Sequence, residues 1–279
     1  SLFKPFVYTT AIDRGYTITS MLVDEPVSFP AGPGQPNYEP KNYEKDYKGE
    51  MTLKYFLEHS RNVPTVKLMN SLGPATVIEY AKRMGITAPI PPYLSSAIGA
   101  GEATLLEMTS AYTAFPNQGV RMTPLYLTEV TDRDGNLLEQ HRPEPREAIR
   151  ADTAYVMTTI LQGVIQEGTG AVEATLPLRA QQWPVGGKTG TTDDYTDAWF
   201  VGFDPDITLG VWVGFDLKKT ISSNATGAVA ALPIWSEIMK SWMDHRRQAS
   251  PDAPSFAKPG NIVFVGGDPY IAGTEPGGR

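Results

Sequence analysis

The chain has 279 residues, a formal net charge of −7 and no cysteine. This length allows one large domain with an appendage, and the lack of cysteine excludes disulfides, thiolate catalysis and cysteine-based zinc sites. The acidic balance argues against nucleic acid as the main partner, and the three scattered histidines lack metal-ligand spacing. No apolar run is long enough for a membrane helix, so we expect any export signal or anchor to lie outside this chain.

The first half of the chain predicts an opening helix, a long loop and a helical subdomain. Residues 24–49 are dense in proline, glycine, asparagine and tyrosine, which indicates a long ordered loop. Residues 52–119 show helical periodicity and include a capping box from Thr104 to Glu107. We place the helical subdomain at about 42–119.

The second half predicts antiparallel strands and two further helices, which gives an α+β fold. Asp134 and Gly135 form a turn inside an alternating pattern, so a two-stranded hairpin is expected there. A helix over 151–168, three strands in close succession and a closing helix follow. We expect the main domain to span 1–246 and a proline- and glycine-rich tail to span 247–279, with "NIVFV" as one short strand.

Three short motifs occur in order along the chain. They are Ser-x-x-Lys at 1–4 ("SLFK"), Ser-x-Asn at 60–62 ("SRN") and Lys-Thr-Gly-Thr at 188–191 ("KTGT"). Singly, each is weak, because the first is usually a helix surface pair and the third a turn. The tail also contains "SFAK" at 255–258, and "SSN" at 222–224 follows the lysine motif instead of preceding it. The order of the three motifs is therefore the specific signal.

The residue types in these motifs suit a serine nucleophile with a lysine base. Residues three apart on a helix share a face, so Ser1 and Lys4 can meet. Ser1 at a helix start faces the positive end of the helix dipole, which favours an anion beside it. Lys4 must be neutral to take the serine proton, and burial, the dipole and a second cation at Lys188 all lower its pKa. Pro5 is tolerated because the first turn needs no backbone donor.

With longer stretches, the motifs resemble the transpeptidase domain of class A penicillin-binding proteins. These stretches are "KPFVYTTAID", "YEPKNY", "HSRNVPTVKL", "GAGEATLLEMTSAYTAF", "EGTG" and "KTGTTDDYTDAWFVGF". The resemblance covers most of the chain. It implies the fold shared by penicillin-binding proteins and serine β-lactamases, an antiparallel sheet flanked by helices with the site in the cleft beside the helical subdomain. The deacylating Glu-x-x-Leu-Asn signature of β-lactamases is missing.

The resemblance implies a role for each motif residue. Ser1 is the nucleophile, Lys4 is its base, and Ser60 relays a proton to the leaving amine. Asn62 holds the peptide amide of the substrate. No metal or other cofactor is implied.

The strand of the third motif is expected to bind the substrate and to complete the oxyanion hole. Lys188 attracts the terminal carboxylate, which the hydroxyls of Thr189 and Thr191 grip. Gly190 lets the acyl donor lie close along the strand. The backbone donors of Ser1 and Thr191 form the oxyanion hole.

The implied reaction is attack on the penultimate D-Ala carbonyl of a peptidoglycan stem peptide, release of D-Ala and transfer of the acyl group to an amine on a neighbouring strand. Carboxypeptidation is a side reaction, and β-lactams acylate the same serine as substrate mimics. Expected partners are the donor, the acceptor and a missing upstream segment of the same protein with further strands, a glycosyltransferase domain and a membrane anchor. This implies a fragment that acts outside the cell membrane, in the periplasm or at its outer face, with no nucleic acid partner.

Two alternatives stay open. A serine at the first position also fits an N-terminal-nucleophile amidohydrolase with its α-amine as base, although this leaves Lys4 and Ser60 unused. A β-lactam-sensing module of the same fold would be acylated once without turnover.

In the long loop, Tyr38 and Asn42 are candidates for lining a groove, although turn chemistry alone accounts for them.

Overall fold

This computed structural model describes residues 1–277, which contain eight α-helices and eleven short strands. The helices are α1 (Lys4–Asp13), α2 (Leu53–Glu58), α3 (Asn62–Leu72), α4 (Pro74–Arg83), α5 (Leu105–Tyr112), α6 (Ala151–Gln166), α7 (Leu176–Ala180) and α8 (Leu232–Ala249). The strands are β1 (Met21–Asp24), β2 (Gly49–Thr52), β3 (Val120–Met122), β4 (Glu129–Thr131), β5 (Leu137–Gln140), β6 (Pro145–Glu147), β7 (Gly186–Thr191), β8 (Asp197–Phe203), β9 (Thr208–Gly214), β10 (Ile262–Val265) and β11 (Asp268–Ile271). These elements confirm the predicted α+β class.

Helix α1 is the buried centre of the molecule. All of its residues except Asp13 are buried, and α3, α4 and α6 pack around it. A helix that is covered on every side has no solvent stripe, so its few polar groups must find partners inside. The hydroxyls of Thr9 and Thr10 donate to the carbonyls of Pro5 and Phe6 one turn back. Lys4, in the first turn, is therefore held in the interior.

The strands β7, β8 and β9 form one antiparallel sheet in chain order, as predicted. Lys188 pairs with Val201 and Thr191 with Ala198, so the third motif lies along β7. Helix α6 packs against β7 and α8 against β8 and β9. Phe200 and Trp235 fill this second interface, with ring centroids 4.8 Å apart. The sheet is thus covered by helices, and β7 lies beside the centre of the molecule.

The long loop after β1 is ordered, but its ends are strands. Residues 21–24 of β1 pair with residues 49–52 of β2 in an antiparallel ladder that the composition did not predict. Inside the loop, the backbones of Phe29 and Tyr38 exchange hydrogen bonds of 2.8 and 2.7 Å. The loop therefore returns to its starting point, and residues 30–37 in its middle are exposed.

The predicted hairpin around Asp134 and Gly135 is confirmed as β4 and β5. It extends from a second ladder, of β3 with β6, which the sequence did not predict. Gly119 enters this arm with a φ of +82°, and a Cβ there would lie 2.0 Å from the Ile149 carbonyl oxygen. Only glycine fits both the backbone conformation and the close approach to the start of α6.

The tail after α8 packs back onto the domain. The strand predicted at "NIVFV" is confirmed as β10, and it pairs with β11, which was not predicted. Ile262 and Tyr270 are buried, and the Phe256 ring lies 5.9 Å from that of Phe203. The predicted boundary at 246 falls inside α8 and stays a prediction, and residues 278–279 of the tail lie outside the described residues. Across residues 1–277, no helix combines the length and apolarity that crossing a membrane requires.

Candidate active site

The three motifs meet at the hydroxyl of Ser60. Lys4 Nζ, 56 positions away in the chain, donates to Ser60 Oγ at 3.0 Å. Lys188 Nζ, 128 positions away, donates to the same oxygen at 2.8 Å. One hydroxyl thus contacts two lysines, both of which are fully buried. Because proton transfer needs heavy atoms within about 3 Å, this arrangement can pass a proton between the motifs.

Lys4 is surrounded by acceptors from the second motif. Besides Ser60 Oγ, its Nζ donates to the Ser60 carbonyl and to Asn62 Oδ1, each at 2.6 Å. Burial, followed by the nearby charges of Lys188 and Arg61, lowers the pKa of Lys4 well below its ordinary value. The three acceptors match the three donors of an ammonium group, while burial favours the neutral amine. The site therefore suits a base that gains and loses a proton.

Lys188 is the second buried amine. Its Nζ also donates to the Thr189 carbonyl at 3.0 Å. Burial lowers the pKa of Lys188 to about 7, so the charged and neutral forms coexist near neutral pH.

Ser60 lies between α2 and α3 with a φ of +52°, a region that non-glycine residues seldom occupy. Its N–H donates to Leu57 O and the following Arg61 N–H to Phe56 O, which closes the end of α2. This tight turn directs the Ser60 hydroxyl toward both lysines. Strained backbone of this kind persists where the surrounding structure enforces it.

Ser1 and Lys4 do not both lie in helix α1, so the i, i+3 geometry that the sequence predicted does not apply. Helix α1 begins at Lys4, so Ser1 lies before the first turn, where its carbonyl accepts the Lys4 N–H at 3.2 Å. Among residues 1–277, the hydrogen bonds of Lys4 Nζ go to Ser60 and Asn62 instead. The Ser1 nitrogen donates to Ile98 O, and the residue borders a cavity of about 820 Å³. That volume accommodates a peptide segment.

The threonines of the third motif have partners that the sequence did not predict. The hydroxyls of Thr189 and Thr169 lie 2.9 Å apart, and Thr191 Oγ1 accepts the N–H of Gly227 at 2.9 Å. Thr169 belongs to the "EGTG" stretch, which was the one sequence signal for it. Gly227 opens a π-helical turn that has no recognisable motif.

Gly190 is required by packing. A Cβ there would lie 2.9 Å from the Leu2 side chain and 3.1 Å from that of Trp199. The start of α1 can therefore approach β7 closely only because the strand carries glycine at this point. This close approach brings Ser1 to the third motif.

Asn62 and Asn42 lie at the start of α3. Asn62 directs Oδ1 to Lys4, and its Nδ2 donates to Lys41 O at 2.9 Å. Asn42, which the sequence offered as a groove-lining residue, is buried instead, with Oδ1 accepting the N–H groups of Asn62 and Val63. Within the described residues, no group of three histidine, cysteine or carboxylate side chains could hold a metal ion.

A family model described as the penicillin binding protein transpeptidase domain matches residues 1–240. The chain is 34% identical over 287 residues to penicillin-binding protein 1A of Neisseria meningitidis, a match that covers 99% of this chain and 35% of that protein. The chain therefore spans about a third of the length of this curated relative.

Solved structures of penicillin-binding proteins are similar to this chain as well. Penicillin-binding protein 1A from Haemophilus influenzae is similar with a TM-score of 0.86 and 26% identity, over 99% of this chain and 48% of that one. The PonA1 protein from Mycobacterium tuberculosis, in complex with penicillin V, has the same fold, with a TM-score of 0.76 and 24% identity over 97% of this chain and 73% of that one. The matches in sequence and structure both cover nearly the whole chain, which thus belongs to the penicillin-binding protein transpeptidase family.

Proposed function

We propose that this chain is a serine D,D-transpeptidase that cross-links peptidoglycan stem peptides and is acylated by β-lactams. The observation that carries the proposal is the Ser60 hydroxyl, which contacts Lys4 and Lys188 at 3.0 and 2.8 Å. Two lysines of lowered pKa that contact one hydroxyl can relay a proton, and acyl transfer from a peptide requires such a proton transfer.

Acylation starts at Ser1. Lys4, as the neutral amine, takes the Ser1 hydroxyl proton while the oxygen attacks the penultimate D-Ala carbonyl, and the backbone N–H groups of Ser1 and Thr191 stabilise the oxyanion. The new ammonium then has three acceptors within 3.0 Å, on Ser60 and Asn62. Its proton passes through Ser60 Oγ to the departing D-Ala nitrogen, which restores the neutral lysine.

In this proposal, the third motif on β7 and Asn62 bind the substrate. We assign the terminal carboxylate of the donor to Lys188 and to the hydroxyls of Thr189 and Thr191, and the donor's peptide amide to Asn62. The hydroxyls of Thr189 and Thr169 lie 2.9 Å apart and either can be the donor, so the Thr189 O–H can donate to a carboxylate when Thr169 donates to Thr189. In deacylation the acceptor amine attacks the acyl-enzyme and the ester bond to Ser1 breaks, while the proton of the amine passes through Ser60 Oγ and Lys4 to the Ser1 oxygen. Water at the same place gives carboxypeptidation.

The resemblance described above also supports a location. We propose that the domain acts outside the cell membrane, in a longer protein whose upstream segment supplies further strands, a glycosyltransferase domain and an anchor. Its partners are then the stem-peptide donor, an amine acceptor and, as inhibitors, β-lactams such as the one bound in the PonA1 structure.

The test is labelling with a fluorescent penicillin, followed by intact mass and peptide mapping. We expect one slowly hydrolysed adduct on Ser1, no adduct in Ser1→Ala, and acylation slowed by about 10²–10⁴-fold in Lys4→Ala, since that change removes the base. Ser255→Ala, in the unrelated "SFAK" of the tail, is the matched control and should label normally.

Other outcomes identify the alternatives. Normal labelling of Ser1→Ala would refute the proposal. Rapid loss of the adduct would indicate a β-lactamase-like hydrolase, and activity that disappears when the α-amine is acetylated would indicate an N-terminal-nucleophile enzyme. Acylation without turnover of a stem-peptide substrate would indicate a sensor.

A further inference from the structure

Helix α3 begins at a catalytic motif without a cap of its own. Its first residue is Asn62, and the preceding Arg61 makes no side-chain cap hydrogen bond. The first N–H groups of a helix have no partner within the helix and cost free energy when they are left unpaired. In most helices a neighbouring serine, threonine, asparagine or aspartate accepts them.

Asn42 supplies this cap from the long loop, twenty positions earlier in the chain. Its Oδ1 accepts the N–H of Asn62 and that of Val63, each at 3.0 Å. Its Nδ2 donates to Asp24 Oδ1 and to the Asp46 carbonyl, each at 2.8 Å. Asn42 is 3% exposed, so this fully paired amide is part of the interior.

The partners of Asn42 are themselves anchored to the second motif. Asp24 is buried at the end of β1 and forms an ion pair with Arg61 at 2.9 Å. Arg61 also donates to the Asp46 carbonyl at 2.8 Å and pairs with the Asp46 carboxylate at 2.7 Å. The loop and the start of α3 thus form one closed polar network, in which the buried charges are paired.

The same loop segment also holds the side chain of Asn62. Lys41 O accepts Asn62 Nδ2 at 2.9 Å, which leaves Oδ1 directed at Lys4. Residues 41 and 42 therefore fix both the backbone and the amide orientation of Asn62. Amide orientation decides which group Lys4 meets, because Nδ2 in place of Oδ1 would present a donor to an ammonium.

We infer that Asn42 is a positioning residue of this site, which holds Asn62 in the orientation that receives Lys4. The inference rests on the proposed function for its link to chemistry, and on the hydrogen bonds above for its geometry. Sub-ångström placement matters because a displacement of about 1 Å can cost about 10²-fold in rate.

The first experiment measures the second-order rate constant of penicillin acylation for Asn42→Ala and Asn42→Asp. The alanine change removes all four hydrogen bonds and should slow acylation by about tenfold or more. The aspartate change keeps acceptor oxygens at the helix start, where aspartate is a favoured cap, but it loses the two hydrogen bonds that Nδ2 donates to Asp24 and to the Asp46 carbonyl. We expect an intermediate rate, because the cap is kept and the two donated hydrogen bonds are lost, so the order is wild type, aspartate, alanine.

Two controls separate positioning from loss of stability. Asn37→Ala removes an exposed asparagine from the same loop and should acylate at the wild-type rate. Thr158→Val removes a buried hydroxyl from α6 that donates to Phe115 O and Ala154 O, away from the site. It should lower the thermal midpoint without slowing acylation at temperatures well below that midpoint. Equal slowing in Thr158→Val, or a wild-type rate in Asn42→Ala, would overturn the inference.

A second readout does not depend on activity. Amide hydrogen exchange of the peptide that contains Asn62 and Val63 should be faster in Asn42→Ala than in wild type, because both N–H groups lose their acceptor. Unchanged exchange would overturn the inference even if acylation slows. If wild type is not acylated at all, the proposed function fails, and the exchange result alone decides whether Asn42 holds the start of α3. If the alanine variant does not fold, the acylation rate of Asn42→Asp against that of Asn37→Ala decides it: a lower rate supports the inference, and an equal rate overturns it.

Discussion

At the scale of single residues, the site is built on two lysines that contact one hydroxyl. Burying two amines is costly unless at least one is neutral, and the lowered pKa values of Lys4 and Lys188 reflect that cost. A shared hydroxyl also couples the two amines, so protonation of one discourages protonation of the other. A charged Lys188 therefore favours the neutral form of Lys4, which is the form that can accept a proton.

The pH dependence of acylation should report this pair. The Lys188 ammonium is charged below its pKa of about 7 and neutral above it, so attraction of a carboxylate-bearing substrate weakens as pH rises through that value. We expect the second-order rate constant of acylation, measured from pH 5 to 10, to fall on the alkaline side. Lys188→Arg keeps its charge over this whole range, so its profile should lose the falling limb, although the bulkier fork lowers the maximum.

The same profile contains its own check. A folded Lys188→Arg variant that keeps the falling limb near neutral pH would assign that limb to another group. Circular dichroism of the variant verifies folding, since a guanidinium in a fully buried position strains the packing.

The sequence identified the motif residues but not their partners. Ser60, Asn62 and Lys188 stand out because three short patterns occur in one order. Thr169 and Asn42 could not be assigned, because their roles depend on which loop reaches which helix start. The hydrogen bonds of Lys4 Nζ were missed for a similar reason: periodicity predicted a shared helix face for Ser1 and Lys4, but the helix begins at Lys4 and the amine meets Ser60 and Asn62.

At the scale of elements, the long helices and the central strands follow from periodicity. The ladders of β1 with β2 and of β3 with β6 were missed because three or four residues are too few to establish alternation. Their partners also lie more than twenty residues apart, so no turn signal joins them. The capping box of α5 could be predicted, because both of its residues, Thr104 and Glu107, lie close together in the sequence.

That capping box gives a stability prediction. Thr104 Oγ1 accepts the Glu107 N–H at 3.1 Å, and Glu107 Oε2 accepts the Thr104 N–H at 3.3 Å. Thr104→Ala should lower the free energy of unfolding by about 1 kcal/mol, measured by urea denaturation. The control is Ser71→Ala, an exposed residue near the end of α3 where alanine is the better helix former and no loss is expected. Equal losses in both variants would contradict the capping role.

At the scale of the whole molecule, the tail contributes to the core of a domain whose site lies elsewhere. Tyr270 is buried and its hydroxyl contacts Thr19 Oγ1 at 2.6 Å, while Asn261 donates to Asp152 at 2.8 Å. These contacts reach the C-terminal end of α1 and the start of α6, whereas the motif residues lie at the opposite end of α1. The composition of the tail predicted an appendage. Too few aromatic residues hold the tail on the domain for its packing to be predicted from the sequence.

Removal of the tail should therefore separate stability from chemistry. A chain that ends at Ser250 loses the buried side chains of Ile262 and Tyr270 and the partly buried ring of Phe256, and we expect its thermal midpoint to fall by several degrees. Penicillin acylation measured at low temperature should stay near the wild-type rate. A truncated chain that is folded and yet unreactive would show that the tail supports the site.

The meeting of Lys4 and Lys188 at Ser60 has a consequence for the order of folding. The contacts close loops of 56 and 128 residues, and such non-local contacts form slowly and late. Before α1, the Ser60 turn and β7 have assembled, Lys4 is hydrated, its pKa is that of an ordinary lysine, and Ser1 has no base. A collapsed intermediate with most of its helices would thus not react with penicillin. In a refolding time course, labelling by fluorescent penicillin therefore reports the fraction of native molecules, whereas circular dichroism reports the helix content.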